Sequence, residues 1–140
     1  MKMTNEEYRE FSEQRAPRSS WKKNMLLAFL IGGTICCVGQ LLTNIYGSLG
    51  LEEESVATAT SVTLIFLGVL LTGLGVYDDI ARVAGAGTLV PITGFANSVA
   101  APAIEFKTEG LVTGTGAKMF VIAGPVIVYG ISASVVYGLI

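Results

Sequence analysis

The sequence predicts an all-α integral membrane protein with about three spanning helices plus one broken or re-entrant helix at about 80–104. Hydrophobic residues make up 51% of the 140 residues and charged residues only 14%, and the mean hydropathy is +0.62. The apolar residues are gathered into runs of roughly 20, the length that an α-helix needs to cross a bilayer. The chain therefore has room for one membrane domain and for no separate soluble domain.

The predicted organisation is a cytoplasmic arm over residues 1–23 and a single transmembrane domain over 24–140, with helices at about 24–46, 56–77, 80–104 (broken) and 111–140. The segment NEEYREFSEQ of the arm has the composition of one short helix. Most of the positive charge lies in the arm, which places the N-terminus inside. Trp21, Lys22 and Lys23 are typical of a membrane interface, so membrane lipid is an expected partner.

The composition also excludes several classes of function. There are no histidines, and Cys36 and Cys37 are adjacent within an apolar run, so neither a metal cluster nor a disulfide framework is expected. A nucleic acid would need a basic patch, which the sequence lacks. Asp78 and Asp79 have no nucleophile, histidine or metal cluster to work with, so we expect neither an enzyme nor a cofactor.

Two sets of polar residues each leave two interpretations open. Gln40 and Asn44 are four residues apart in the first helix and share one face. They either line a pathway, or form an interhelical hydrogen bond or lie exposed at the interface. Asp78 and Asp79 precede Arg82 by four and three residues, so they either act in catalysis or cation binding, or form an ion-paired helix end.

The stretch 78–109 does not fit a plain spanning helix. It carries no charge between Arg82 and Glu105, yet glycines and prolines interrupt it. We predict a break after Ala84 and a new helix from about Pro91, because proline removes a backbone donor and is favoured at the first helical position. Freed backbone groups cannot face lipid, so the break must pack against protein or line a water-filled cavity.

The N-terminal end of this new helix would present N–H groups inside the membrane, and such half-helix ends attract anions in transporters. The alternative is a small-residue packing helix kinked by proline. The residues predicted to line a solute pathway at the broken helix are Gly85, Gly87, Thr88, Pro91, Thr93, Gly94, Asn97 and Ser98.

Charged side chains flank the broken helix and extend the predicted lining. Lys107 is suited to an anionic substrate, and the neighbouring carboxylates are suited to a divalent cation or to pairing with that lysine. Lys118 either reaches to the interface or faces a cavity. The full set of charged candidates is Asp78, Asp79, Arg82, Glu105, Lys107, Glu109 and Lys118.

Three segments carry a resemblance to a known family. They are AFLIGGTICCVGQ, LTGLGVYDDIARVAGAGTLVPITGFANSVAAPAIEFKTEGL and MFVIAGPVIVYG. Together they resemble the AC and AE membrane proteins of the stage V sporulation operon of spore-forming Firmicutes, over the range from Trp21 to Gly138. The basic arm ahead of the first helix is more similar to the AC members than to the AE members.

The resemblance implies a membrane subunit that moves dipicolinic acid, as its calcium chelate, across the spore inner membrane during sporulation and out again during germination. It also implies two partners, an AE-type membrane protein and a soluble thiolase-like AD protein. About three spans are few for a pore, so we expect a homo- or hetero-oligomer. The alternative is a structural or gating scaffold, mechanosensitive in one version, that packs against a pore formed by another chain.

Overall fold

The computed structural model describes residues 4–15 and 20–140, and these ranges are almost entirely helical, with no strand. Short 3-10 turns cover Gly85–Leu89 and Lys107–Glu109, and a π-helical segment, Leu111–Gly116, leads into the last helix. The predicted all-α class is confirmed. The helices are α1 (Asn5–Arg15), α2 (Trp21–Ser48), α3 (Glu53–Gly73), α4 (Val76–Ala84), α5 (Pro91–Glu105) and α6 (Ala117–Gly138).

The short helix predicted in the arm is α1. Thr4 and Glu7 cap its first turn reciprocally. The Glu7 carboxylate accepts from the Thr4 backbone N–H at 2.8 Å, and the Glu7 N–H donates to the Thr4 hydroxyl oxygen at 3.3 Å. This capping box satisfies two backbone donors that a helix end otherwise leaves free. Residues 1–3 and 16–19 of the predicted arm lie outside the described residues.

Three helices in the described part of the chain are long and apolar enough to cross a membrane. Many of their large apolar side chains are exposed on the isolated chain. Apolar surface of this extent is typical of helices that contact lipid or other helices. The three correspond to the spans predicted at 24–46, 56–77 and 111–140, and they are Trp21–Ser48, Glu53–Gly73 and Leu111–Gly138.

The predicted span 56–77 is wrong at its C-terminal end. α3 ends at Gly73, and Gly75 adopts a left-handed conformation with φ 75° before α4 begins. Glycine takes this conformation without the steric cost that other residues meet, so it ends helices readily. Asp78 and Asp79 therefore belong to the first turn of a separate short helix, where negative charge is favoured by the helix dipole.

The predicted break is confirmed. α4 ends at Ala84, a 3-10 turn follows from Gly85 to Leu89, and α5 begins with Pro91 in its first turn. Gly85 has φ 52°, a left-handed value that favours glycine. α5 has 15 residues, so it is about 22 Å long and shorter than the ~30 Å hydrocarbon core.

The packing is centred on α5. This helix lies against α3 and α6, and the 3-10 turn before it lies against α2. Small residues dominate the core, and small residues let helix backbones approach closely, which is how helices associate inside membranes. Apart from glycines, the buried residues in the part of the chain that the structure describes are Val56, Leu64, Tyr77, Ala84, Ala96, Ala100, Ala123, Thr60, Thr88 and Thr93.

The break is covered by a backbone contact with α2. A Cβ atom added at Gly87 would lie 2.5 Å from the carbonyl oxygen of Ala28 and 2.8 Å from its Cα atom. A Cβ atom added at Gly32 would lie 3.2 Å from the Gly87 carbonyl oxygen. The two backbones therefore touch without side chains between them, and Gly87 and Thr88 in the middle of the break are buried.

Gly87→Ala should destabilise the protein, because the backbone of Ala28 must move to admit the new methyl group. We expect a loss of about 1–3 kcal/mol, the usual cost of overpacking, seen as a lower thermal unfolding midpoint of the purified protein in detergent. Gly130→Ala is the matched control, since a Cβ atom there meets nothing within 4 Å. Equal midpoints for the two variants would contradict the contact.

The capping box should make α1 sensitive to acid. The backbone N–H of Thr4, and secondly its hydroxyl, hold the pKa of Glu7 below its ordinary value, because both hydrogen bonds favour the carboxylate. The resulting stabilisation of α1 is present above the unfolded pKa and is lost as pH falls through the lower folded pKa. NMR titration of labelled protein should show this low pKa, and Thr4→Ala should raise it part of the way. An ordinary Glu7 titration would refute the capping box.

Candidate functional site

A polar cleft opens between α3, α4 and α5, and we call it the α5 cleft. Its volume is about 380 Å³, within the range of small-molecule pockets, roughly 300–1,000 Å³. It brings together three of the predicted site residues, Asp78, Asn97 and Glu105, from two different helices. The residues that line it are Thr72, Asp78, Ala81, Asn97, Ala101, Ile104 and Glu105.

One side of the α5 cleft is held by a hydrogen bond between α3 and α5. The Thr72 hydroxyl lies 2.8 Å from Asn97 Oδ1 and 2.7 Å from the Gly68 carbonyl oxygen. A hydroxyl has one hydrogen to donate. The oxygen and nitrogen ends of a side-chain amide are nearly equal in size, so the amide of Asn97 fits equally well when its oxygen and nitrogen are exchanged. Both contacts are satisfied when the Asn97 amide nitrogen donates to Thr72, which leaves the amide oxygen free as an acceptor.

The charges around the α5 cleft favour a cation. Arg82 Nη2 donates to Asp78 at 2.8 Å, and Arg82 Nη1 lies 3.5 Å from Asp79. The structure thus shows the ion pair that one interpretation of the sequence proposed, although its exposure makes it weak. Glu105 is the last residue of α5, where the helix dipole is also negative. A positive charge in the cleft is therefore favoured, and a free dianion is disfavoured.

The glycines of the break and of the first turn of α5 contribute to packing. Gly87 contacts the backbone of α2, and a Cβ atom added at Gly94 would lie 2.7 Å from the Thr88 carbonyl oxygen. Tyr77 donates its hydroxyl hydrogen to that same oxygen at 2.9 Å, and the Thr88 hydroxyl donates to the Gly85 carbonyl oxygen at 3.0 Å. These residues form the wall between α2, α4 and α5 and do not line the α5 cleft.

Thr93, in the first turn after the break, differs from these packing residues. It is 6% exposed, it lies in the first turn of α5, and its buried hydroxyl has no hydrogen-bond partner in the described chain. It lines a second cavity, of about 280 Å³, whose walls also include Ile31, Leu64 and Ile80. A buried hydroxyl without a partner costs free energy, so a polar group that enters this cavity has a place to bind.

The polar residues of two other helix faces lie outside both cavities. The Ser98 hydroxyl donates to the Phe95 carbonyl oxygen of its own helix at 2.8 Å. The Gln40 amide nitrogen donates to Asn44 Oδ1 on α2 at 3.0 Å, and both side chains are exposed. Pro91 borders a different, apolar groove between α3, α5 and α6.

The predicted lysines also lie away from the α5 cleft. Lys107 and Glu109 are exposed in the 3-10 turn that follows α5. Lys118 Nζ lies 4.6 Å from the centre of the Phe106 ring. Because a cation is attracted to the face of an aromatic ring, this contact helps to hold the connection between α5 and α6.

Thr72 and Tyr77 were not predicted as site residues, although Thr72 holds one side of the α5 cleft and Tyr77 holds the neighbouring wall between α2, α4 and α5. Thr72 contacts a residue 25 positions away, and Tyr77 contacts a residue 11 positions away, so no local spacing connects the partners. The sequence signal that could have identified both residues is the type of their side chains. A hydrogen-bonding side chain within or beside a membrane segment requires a partner.

Three candidate spans, a broken helix covered by backbone contacts and a polar cleft beside it define a multi-pass α-helical membrane protein. Residues 24–140 match the model of the SpoVAC/SpoVAEB sporulation membrane protein family, and the chain belongs to this family. It is similar to stage V sporulation protein AC of Bacillus subtilis (strain 168), with 45% identity over 141 residues that cover 99% of this chain and 94% of the relative. No solved structure matches it significantly. The resemblance seen in the sequence is confirmed.

The bond between Thr72 and Asn97 should appear as an energetic coupling between α3 and α5. We expect Thr72→Val and Asn97→Ala each to lower the free energy of unfolding in detergent, with a coupling of about 0.6 kcal/mol and at most ~1.7 kcal/mol. Ser98→Ala paired with Thr72→Val is the control, because Ser98 bonds only within its own helix. Strictly additive effects of the first pair would mean that the bond does not stabilise the cleft.

Proposed function

We propose that this chain is a membrane subunit of a channel or transporter that moves dipicolinic acid, as its calcium chelate, across the spore inner membrane during sporulation and germination. Membership of a sporulation membrane protein family supports the cellular setting. The observation that carries the proposal is the α5 cleft, which gathers Asp78, Asn97 and Glu105 beside a broken helix. Discontinuous helices form the binding sites of many secondary transporters.

The charges of the α5 cleft suit the chelate better than the free acid. Dipicolinate is a planar dianion, and the carboxylates of Asp78 and Glu105 repel it. One calcium ion neutralises the dianion and accepts further oxygen ligands, for which carboxylates and the amide oxygen of Asn97 are suitable. These contacts are few, which agrees with the need of a conducting site to release its solute.

Thr93 offers the solute a second contact on the same helix. It precedes Asn97 by four residues, so about 6 Å of helix separates the two residues along one face of α5. The N-terminal end of α5 is the positive end of its dipole, and the Thr93 hydroxyl has no partner in the described chain. We propose that a carboxylate of the solute accepts from this hydroxyl, while the apolar walls of the cavity keep binding weak.

The proposal includes an orientation and partners. The N-terminus lies in the cytoplasm, since Lys22 and Lys23 stand at the start of α2. Three candidate spans are few for a complete pore, so the chain acts in a homo- or hetero-oligomer. The partners we propose are an AE-type sporulation membrane protein and a soluble thiolase-like AD protein.

Asn97→Ala and Glu105→Gln should each lower the dipicolinate content of spores several-fold, because the first removes an amide oxygen from the cleft and the second replaces a charged carboxylate by a neutral, weaker calcium ligand. The measurement is dipicolinate per spore in the parent organism, with immunoblots of spore membranes to confirm normal protein levels. Ser98→Ala is the matched control, because its hydroxyl bonds within α5 and does not line the cleft. Normal dipicolinate in both cleft variants, at normal protein levels, would overturn the proposed route.

A structural or gating scaffold, with mechanosensitivity as one form of gating, is the second candidate function. The tight backbone contacts at Gly87 and Gly94 favour it. Under this alternative, substitutions in the α5 cleft leave spore dipicolinate unchanged, whereas Gly87→Leu or Gly94→Leu prevents assembly. Under the transport proposal, both kinds of substitution lower dipicolinate, so the cleft variants separate the two functions.

A further inference from the structure

One face of α2 carries hydrogen-bonding groups that the rest of the described chain does not cover. Gln40 and Asn44 are exposed on this face, and the Gln40 amide nitrogen donates to Asn44 Oδ1 at 3.0 Å. That bond uses one N–H of Gln40 and one lone pair of the Asn44 oxygen. A primary amide has two N–H donors and one carbonyl acceptor, so the Gln40 oxygen and both N–H groups of Asn44 still have capacity to bond.

This unused capacity is unfavourable on a surface that faces lipid. α2 is the candidate span Trp21–Ser48, and no residue in its most apolar part is buried inside the chain. Gln40 precedes the last residue of α2 by eight positions, so about 12 Å of helix separates it from that end. Hydrocarbon offers no hydrogen-bond partner, and amides in membrane helices bond across helix interfaces instead. A second helix with amide groups at the same depth is therefore the expected neighbour.

The residues around the two amides leave room for such a helix. Between Gly33 and Gly47, a stripe about 100° wide around the helix axis, given 3.6 residues per turn, contains six residues, and all of them are exposed. They are Gly33, Cys36, Cys37, Gln40, Asn44 and Gly47. A Cβ atom added at Gly33 or Gly47 meets nothing within 4 Å, whereas one at Gly32 would lie 3.2 Å from the break. α2 thus has one glycine face that is occupied and one that is open. We call these six residues the α2 outer stripe.

We propose that the α2 outer stripe is the contact between two copies of this chain, related by a two-fold axis normal to the membrane. Copies with the same orientation place Gln40 opposite Gln40 and Asn44 opposite Asn44. Each amide keeps at least one N–H and one acceptor site beyond the bond within its own helix, so the Gln40 oxygen of one copy accepts from the Gln40 amide of the other, and the two Asn44 amides bond in the same way. The stripe is therefore self-complementary in depth and in hydrogen bonding, and the contact does not depend on the proposed solute.

The test uses the full-length Cys36→Ser protein, purified and reconstituted at low protein-to-lipid ratio in phosphatidylcholine vesicles. Cys37 lies one turn from Gln40 on the stripe, so mild oxidation should link two copies through a disulfide, seen as a dimer on a non-reducing gel. In the same background, Gln40→Leu with Asn44→Leu should reduce the dimer fraction about tenfold. Leu41→Ala, at an exposed neighbouring position, should leave the dimer fraction unchanged, and so should the amide-conserving Gln40→Asn.

Circular dichroism of each variant shows whether its helices are intact. A dimer that persists in the correctly folded Gln40→Leu, Asn44→Leu variant would overturn the proposal, and so would the absence of any dimer of the parent Cys36→Ser protein at every protein-to-lipid ratio. A disulfide that forms only after a second membrane protein is added would also overturn it, and would assign the stripe to that partner. Because no dipicolinate is present, failure here is distinct from failure of the proposed transport function.

Discussion

The backbone contact between Gly87 and Ala28 is the constraint on which the rest of this structure depends. A helix that breaks at membrane depth frees N–H and C=O groups, and lipid satisfies none of them. Here the break from Gly85 to Leu89 is pressed against α2 so closely that a methyl group at residue 87 would lie 2.5 Å from a carbonyl oxygen. Protein therefore covers the middle of the break at Gly87 and Thr88, and this contact fixes the chain just before α5 begins.

The tightly packed part of α5 and its polar part lie at different positions along the helix. Its N-terminal turn faces the wall made by Thr88 and Tyr77, where glycine and a tyrosine hydroxyl fill the available space. Further along, Asn97 reaches Thr72 of α3 and opens onto the α5 cleft. Tight glycines and a polar route are therefore compatible in one helix, because they occupy different parts of it. The scaffold function rests on the packing at the break, and the transport function rests on the α5 cleft.

Much of the fold follows from local signals in the sequence. The break after Ala84 and the restart at Pro91 were predictable because proline and glycine act on the backbone of their immediate neighbours. The end of α3 was predicted too late, because Gly73 and Gly75 follow an apolar run that already contains one glycine, Gly68, within its helix. Only the left-handed conformation of Gly75, with φ 75°, distinguishes the residue that ends the run.

The candidate site was less predictable than the fold. Asp78, Asn97 and Glu105 were each chosen for their chemistry, but their meeting in one cleft depends on how α4 and α5 pack against α3. Lys107 was chosen by the same reasoning and lies in the turn beyond α5 instead. Thr72 was missed because its partner is 25 positions away. Long-range packing decided these outcomes, and a single sequence does not report it.

The proposed transport requires that solute occupies the α5 cleft. The direct measurement is the labelling rate of single cysteines by a membrane-impermeant thiol reagent, in a Cys36→Ser, Cys37→Ser background. Ala101→Cys lies in the cleft, and Ala103→Cys lies in the apolar groove on the other side of α5. If solute occupies the cleft, position 101 is labelled faster than position 103, and calcium dipicolinate slows only the labelling at 101. Equal labelling at the two positions, or no protection by the chelate, would contradict it.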